Sequence, residues 1–198
     1  MNVTFKAAVA ALILAVALAR SVAAGPLEDA LDAVERHDYA TAIGLWRPLA
    51  DQGEVDAQYN LGVMYDKGQG VTRDYAIAVS WFRKAADQGF APAQLSLGVM
   101  YENGLGVPQD FTTAASWYRR AADQGDTAAQ LNLGVMYENG WGVTQNHLRA
   151  HVWFSLAAAR GDRDAATNRD IAAAKLTPAQ IAEAQRLFRE WEPNSTLR

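Results

Sequence analysis

A fixed period of 36 residues, kept without a gap, is the feature that most constrains what this chain can fold into. A chain with a fixed period repeats one supersecondary unit, and each unit buries its apolar face by stacking on its neighbours. The period divides the middle of the chain into three full units, residues 54–89, 90–125 and 126–161. The residues in register are Gln58, Gln94 and Gln130; Gly62, Gly98 and Gly134; Tyr65, Tyr101 and Tyr137; Gly70, Gly106 and Gly142; Trp81, Trp117 and Trp153; and Gly89, Gly125 and Gly161.

Two apolar stripes with helical spacing lie in each unit. In the second unit Leu97, Met100 and Tyr101 stand at i, i+3 and i+4, and a second stripe runs from Ala114 through Trp117. A Gly-x-Gly-Val segment separates the two stripes. The pattern predicts a hairpin of two helices, the first of about eleven residues and the second somewhat longer.

Weaker forms of the pattern flank the three units. Residues 25–53 are predicted to form a degenerate helix pair, and residues 162–192 are predicted to form capping helices ahead of a frayed tail at 193–198. In the cap, Arg169 and Asp170 replace the Leu and Gly of the repeat, as expected for a terminal unit with a polar outer face. Thr177-Pro-Ala-Gln180 has the form of a capping box with proline at the first helical position.

The repeated residues carry a family resemblance. The pattern A-Q-x-x-L-G-x-x-Y-x-x-G-x-G-V, followed by W-[FY]-x-[KR]-A-A-x-Q-G, resembles the Sel-one-like repeat (SLR) family, which is related to the tetratricopeptide repeat. The third unit departs most, with Asn146 and His147 in place of Asp and an aromatic residue. The resemblance implies an all-α fold, an α/α superhelical solenoid of antiparallel helix hairpins, that binds proteins or peptides. It does not imply chemistry, because members of the family are mostly adaptors.

The first 24 residues have the features of an export signal. Lys6 precedes an apolar run of thirteen residues from Ala7 to Ala19, and small residues precede a predicted cleavage between Ala24 and Gly25. Retention of the segment as an anchor is the alternative. Without Lys6 and Arg20 the chain has 16 basic and 22 acidic side chains, a formal charge of -6, which disfavours nucleic-acid binding. Since the chain has no cysteine, its stability has to come from packing.

The glycine pairs are predicted to make turns instead of binding phosphate. A phosphate loop follows a strand, whereas Gly104-Leu-Gly106 follows a predicted helix. The first glycine is expected to end the helix in a left-handed conformation, and the second to complete the reversal. Gly98 instead lies inside a helix, where we expect close contact between helices and a tryptophan of the second helix nearby.

Residues that could carry chemistry are scattered through the repeats. His147 and His151 are four apart, but HLRAH lacks the glutamate of a zinc-protease motif and has no apparent third ligand. The sequence shows no base at a recognisable spacing from the serines, and the acidic row is expected to be solvated or to cap helices. We therefore predict no catalytic residue, no metal and no cofactor. The serines are Ser80, Ser116 and Ser155, and the acidic row is Asp66, Glu102 and Glu138.

Residues that bind a partner are expected on a concave wall that the first helices of the repeats would line. The wall would present Asn60, Ser96 and Asn132. These side chains either hold a peptide backbone or are ordinary polar residues of a helix surface. The hairpin position occupied by Gln69, Leu105 and Trp141 becomes increasingly apolar along the chain, and Leu105 and Trp141 are its candidate binding residues. Trp141 either anchors a partner or packs against the carboxyl-terminal cap.

The leading functional hypothesis is a non-catalytic periplasmic or secreted adaptor or regulator that binds a protein or peptide on this wall. One alternative is an envelope hydrolase, because some cysteine-rich members of the family have been described as lactam hydrolases. The other is a peptidoglycan or glycan binder that uses Trp141. Neither the partner nor the oligomeric state follows from the sequence.

Overall fold

The computed structural model describes residues 25–191, and over that range the chain is a helical repeat solenoid without strands. The all-α fold expected from the 36-residue period is thereby confirmed. The predicted signal peptide and the tail at 193–198 lie outside the described residues. The ten helices of the described range are α1 (Pro26–Glu35), α2 (Tyr39–Asp51), α3 (Val55–Lys67), α4 (Tyr75–Asp87), α5 (Ala91–Asn103), α6 (Phe111–Asp123), α7 (Thr127–Asn139), α8 (His147–Ala159), α9 (Arg163–Ala173) and α10 (Pro178–Trp191).

The chain divides into two compact units between Asp74 and Tyr75. The first contains α1 to α3, with Ala30, Ala42 and Trp46 in its interior. The second contains α4 to α10. Its core is built from the facing sides of these helices and includes Tyr118, Leu133 and Phe154, each at most 1% exposed.

The helices of a repeat are equal in length. Both α5 and α6 have 13 residues, as do α7 and α8, so the prediction of a shorter first helix of about eleven residues was wrong. Each of these first helices begins two residues after the preceding glycine, with the cap residue between them. Asp126, directly after Gly125, is one such cap, and its carboxylate accepts a hydrogen bond of 2.8 Å from the backbone N–H of Ala129.

The first glycine of each loop ends a helix in the predicted left-handed conformation. Gly104 has φ 68° and Gly140 has φ 73°, and the N–H of each bonds back to a methionine carbonyl one turn earlier. Glycine takes this conformation without the steric penalty that a Cβ would bring. The turn role of the pair is therefore confirmed at its first position.

The second glycine does more than complete the reversal, because it is a point of contact with the preceding repeat. A Cβ on Gly106 would lie 2.4 Å from the carbonyl carbon of Tyr75, and one on Gly142 would lie 2.1 Å from the carbonyl oxygen of Phe111. Tyr75 and Phe111 each begin the second helix of the preceding repeat. Only a residue without a side chain allows the loop to approach that helix so closely.

Glycines inside the first helices lie under aromatic rings, but the rings are not the predicted tryptophans. A Cβ on Gly98 would lie 2.3 Å from Cε1 of Tyr118, and one on Gly134 would lie 2.5 Å from Cδ1 of Phe154. Trp117 and Trp153 precede these residues in the chain and point about 100° away around the helix. Close helix contact at the glycines is confirmed, whereas the tryptophan contact was wrong.

The predicted capping box opens α10. The backbone N–H of Thr177 donates to Oε1 of Gln180 at 2.9 Å, and the backbone N–H of Gln180 donates to Oγ1 of Thr177 at 3.3 Å. At the other end of α10, the ring of Trp191 meets that of Trp153 edge to face, with centroids 4.6 Å apart. This contact holds the last described helix against α8.

Candidate binding surface

Buried glutamines join each repeat to the one before it. Nε2 of Gln94 donates to the carbonyl of Ala86 at 3.2 Å, and Nε2 of Gln130 donates to the carbonyl of Ala122 at the same distance. Each acceptor lies in the last turn of a helix, where carbonyls have no partner within the helix. Gln124, the C-cap of α6, donates in turn to Oε1 of Gln94 at 2.8 Å. In the first unit Gln58 makes the corresponding bond to Ala50, at 3.0 Å.

Arginines on the second helices form another set of contacts between repeats. Cζ of Arg119 lies 5.4 Å from the ring centroid of Tyr137 on α7 and 5.2 Å from that of Trp153 on α8. Its guanidinium also donates to the hydroxyl of Tyr137. Arg83 repeats the arrangement with Tyr101 and Trp117. These contacts fix the register of neighbouring first helices and so fix the surface that they present.

The predicted wall residues lie half-buried on the first helices, and two of them have partners inside the protein. The hydroxyl of Ser96 on α5 donates to the carbonyl of Pro92 at 2.9 Å. Asn132 on α7 hydrogen-bonds the hydroxyl of Tyr118. Asn60 lies half-buried on α3 in the first unit. A peptide backbone bound by Asn132 would therefore compete with, or add to, an existing bond.

Tyr118 connects this polar row to the acidic row. Its hydroxyl donates to the carboxylate of Glu102 on α5. Burial, followed by the hydrogen bond to Glu102 and that carboxylate's charge, raises the pKa of Tyr118. The phenol therefore stays protonated and links three successive helices.

Glu138 departs from the solvated role expected of the acidic row, since its side chain is only 14% exposed. It accepts from Lys175 beyond α9 and lies 3.0 Å from Nδ1 of His147 on α8. Burial alone would raise the pKa of Glu138, but the hydrogen bonds and charges of Lys175 and His147 lower it overall. His147 thus pairs with an acid, and residues 25–191 contain no group of three His, Cys, Asp or Glu side chains that could hold a metal.

Trp141 is the large aromatic that the hairpin loops expose. It is 43% exposed and stacks on Phe111 of α6, with centroids 5.7 Å apart and the rings 28° from parallel. The stacking partner belongs to the preceding repeat, on the side away from the carboxyl-terminal cap. Leu105, one period earlier, is half-buried.

Ser155 has a histidine nearby that the sequence analysis missed. Nδ1 of His151 lies 3.5 Å from Oγ of Ser155, so the statement that no base accompanies the serines was wrong. The i, i+4 spacing on one helix face was the signal that could have found the pair. The hydroxyl nevertheless donates to the carbonyl of His151, at 2.7 Å, which is not the orientation of a serine activated by imidazole.

Comparison with known families identifies the repeat. The family model described as Sel1 repeat matches residues 27–54, 55–90, 91–126 and 127–162. The chain belongs to the Sel1 repeat family. The first match falls on the segment that the sequence analysis assigned to a degenerate helix pair. Sel1 repeat proteins are typically protein-interaction scaffolds and generally non-catalytic.

Solved Sel1 repeat structures resemble this one. A Sel1 repeat protein from Oxalobacter formigenes matches with a TM-score of 0.72 and 30% identity over 83% of this chain and 70% of its own. Protein c5321, a protective antigen of uropathogenic Escherichia coli with an SLR fold, matches with a TM-score of 0.58 and 33% identity over 77% of this chain and 41% of its own. Cysteine-rich protein B of Helicobacter pylori, at 24% identity and a TM-score of 0.50, shares the fold over 71% of this chain and 94% of its own. Among curated proteins, a search finds no match to this chain.

The Sel1 repeats contain no membrane-spanning segment. None of the helices in residues 25–191 combines the length and the apolar composition that a bilayer crossing needs.

Proposed function

We propose that this Sel1 repeat protein is a non-catalytic scaffold that binds a protein or peptide partner in the periplasm or outside the cell. The observation that carries the proposal is the placement of Trp141. The ring is exposed, yet the stack on Phe111 holds its orientation. An exposed aromatic that is already ordered loses little conformational entropy when a partner covers it, which is the usual character of a binding hot spot.

The first helices supply the rest of the proposed surface. Val99 on α5 is exposed, and Leu95 and Leu131 are half-buried along the same helices. Ser96 and Asn132 would add polar contacts there, Asn60 would do so on the first unit, and Leu105 would extend the row of Trp141. Within the second unit the arginine and glutamine contacts between repeats hold Ser96 and Asn132 at a fixed spacing, so a partner would meet a preorganised surface there.

Affinity capture with matched variants tests the proposal. The mature protein, Trp141→Ala and the control Ile171→Ala would be used as baits for envelope extracts, followed by mass spectrometry. Ile171, on α9, is also exposed and apolar. We expect one partner to be retained by the parent and by Ile171→Ala and to be lost with Trp141→Ala. Equal capture by all three baits would contradict the assignment of Trp141.

Two further measurements distinguish the alternative functions. Binding of the purified protein to isolated cell-wall sacculi would favour a glycan ligand, and turnover of nitrocefin would favour a hydrolase. Thermal unfolding of Trp141→Ala provides the structural control. We expect the melting temperature of Trp141→Ala to fall by at most a few degrees, since an aromatic stack contributes roughly 0.5–1.5 kcal/mol to the free energy of unfolding. A much larger drop would assign the residue to the core.

A further inference from the structure

A cleft with polar and apolar sides opens between α8, α9 and α10, at the end of the full repeats. Its volume is about 390 Å³, within the size range of small-ligand sites. The residues that line it are His151, Ser155, Ala158, Ala159, Arg169, Gln185 and Phe188.

The cleft exists because two positions of the repeat have changed size. Ser155 stands one period after Arg119 and Ala159 one period after Asp123, so smaller side chains replace an arginine and an aspartate. Where Arg119 lies against Tyr137 in the preceding repeat, Ser155 leaves space. The change in residue size thus leaves a gap between the last full repeat and the cap.

Arg169 brings a positive charge to a position that is leucine in each of the three full repeats. It stands one period after Leu133, which is fully buried, as are Leu97 and Leu61 before it. The side chain of Arg169 is 38% exposed. Its Nε and Nη2 both donate to Oδ1 of Asp170, at 2.9 and 2.8 Å, and this contact orients the guanidinium at the cleft.

The other polar groups of the cleft are neutral. Burial, together with the charge of Arg169, lowers the pKa of His151, although Asp170 opposes the shift. The imidazole is therefore uncharged at pH 7, and Ser155 and Gln185 contribute a hydroxyl and an amide. Phe188 and the two alanines give the cleft an apolar side.

We propose that this cleft binds a carboxylate attached to an apolar group, with Arg169 as its counter-ion. One guanidinium matches the single charge and planar geometry of a carboxylate. A phosphate dianion would be incompletely neutralised and would be repelled by Asp170 more strongly than a carboxylate, which carries a single charge. Gln185 supplies an N–H donor, and Phe188 packs against the apolar group. The carboxylate could belong to a small acid or to the carboxyl terminus of a peptide.

A matched pair of small molecules tests the charge requirement. N-acetyl-L-phenylalanine carries the carboxylate, and N-acetyl-L-phenylalaninamide differs from it only in being neutral. Both would be titrated into the ¹⁵N-labelled protein while the backbone and Gln185 side-chain amide resonances are followed. We expect the acid to shift resonances of α8, α9 and α10 and to bind at least about tenfold more tightly than the amide. Equal affinities would overturn the proposal.

Three variants test the residue assignment. Arg169→Leu restores the residue of the other repeats and should weaken binding of the acid about tenfold or more, whereas Arg163→Leu removes the same charge from the start of α9 and should leave binding unchanged. Asp170→Asn should tighten binding several-fold, because it removes the competing carboxylate. Failure of Asp170→Asn to tighten binding, or equal effects of the two arginine variants, would overturn the assignment.

The source of the carboxylate is settled by a third titration. A short peptide ending in phenylalanine would be compared with the same peptide amidated at its carboxyl terminus. Preference for the free terminus identifies a peptide end as the ligand, whereas binding of the small acid alone identifies a metabolite-sized acid. Binding of neither peptide nor acid overturns the proposal while leaving the scaffold function, which depends on Trp141, untouched.

Discussion

The phenol ring of Tyr118 lies so close over Gly98 that a methyl group on the glycine would reach 2.3 Å from Cε1 of the ring. Tyr118 cannot easily move away, because it is fully buried and its hydroxyl is bonded to Glu102 and Asn132. Gly98→Ala should therefore destabilise the protein by about 1–3 kcal/mol, even though alanine is the better helix former. Urea unfolding at pH 7 measures the change.

A glycine in open space provides the control for that experiment. Gly44, inside α2, has no neighbouring atom within 4 Å of the position that a Cβ would occupy. Gly44→Ala should stabilise the protein by roughly 0.4–1 kcal/mol. Stabilisation by both variants would show that the ring contact at Gly98 imposes no constraint.

The loop glycine Gly142 should be less replaceable than a glycine of similar conformation elsewhere. Both Gly142 and Gly161 have positive φ, 67° and 92°, but only Gly142 would bring a Cβ against backbone, at 2.1 Å from the carbonyl oxygen of Phe111. Alanine at Gly161 should cost only the strain of a left-handed residue, roughly 1–2 kcal/mol. Alanine at Gly142 should cost about 1–3 kcal/mol beyond that. Equal losses in thermal or urea unfolding would argue against close loop contact.

Gln130 should contribute to stability through its hydrogen bond more than through its volume. Gln130→Met keeps a similar volume but removes one of the two donors to the buried carbonyl of Ala122, the other being the backbone N–H of Gly125. We expect a loss of about 0.5–1.5 kcal/mol in the free energy of unfolding. Gln185→Met, at an exposed position of α10, is the matched control and should change it by less than about 0.5 kcal/mol. A neutral result for Gln130→Met would mean that the N–H of Gly125 alone satisfies the carbonyl of Ala122.

His151 should make the protein less stable in mild acid. Its pKa is lowered by burial and by Arg169, so below about pH 6.5 the unfolded chain takes up a proton that the folded protein resists. The stability that the folded protein gains from a neutral His151 ring is therefore fully present above that pH. It is lost as the pH falls toward and through the pKa of His151 in the folded protein. His151→Val, which introduces the residue found at position 79, should remove this dependence. The free energy of unfolding of the parent and of His151→Val would be measured between pH 5.5 and 7.5. In the difference between the two values, the titration of groups common to both proteins cancels. If this difference does not change with pH, the lowered pKa of His151 is contradicted.

The repeats were predictable because their chemistry is local. The left-handed glycines and the capping box at Thr177 each follow from a few neighbouring residues, so the sequence indicated them correctly. The ring over Gly98 was assigned to the wrong residue because Trp117 and Tyr118 are adjacent, aromatic and both buried. Choosing between them requires the rotation of α6 against α5, which no short pattern encodes.

The cleft at Arg169 was beyond prediction for a related reason. The replacement of leucine by arginine was visible in the alignment of repeats, but it was assigned to an outer polar face. Only the position of α10 places Gln185 and Phe188 beside that arginine. The pairing of His151 with Ser155, in contrast, was readable from their spacing and was overlooked.

The contacts of Arg83 and Arg119 recur with identical sequence offsets, each arginine reaching a tyrosine 18 residues ahead. A second copy of residues 91–126 placed after Gly125-Asp126 would therefore find complementary residues at both of its ends. Duplication of a whole period should yield a longer folded protein, whereas an insertion of half a period would leave the arginines facing the wrong helices. Growth and shortening in whole repeats is thus available to this chain by simple recombination.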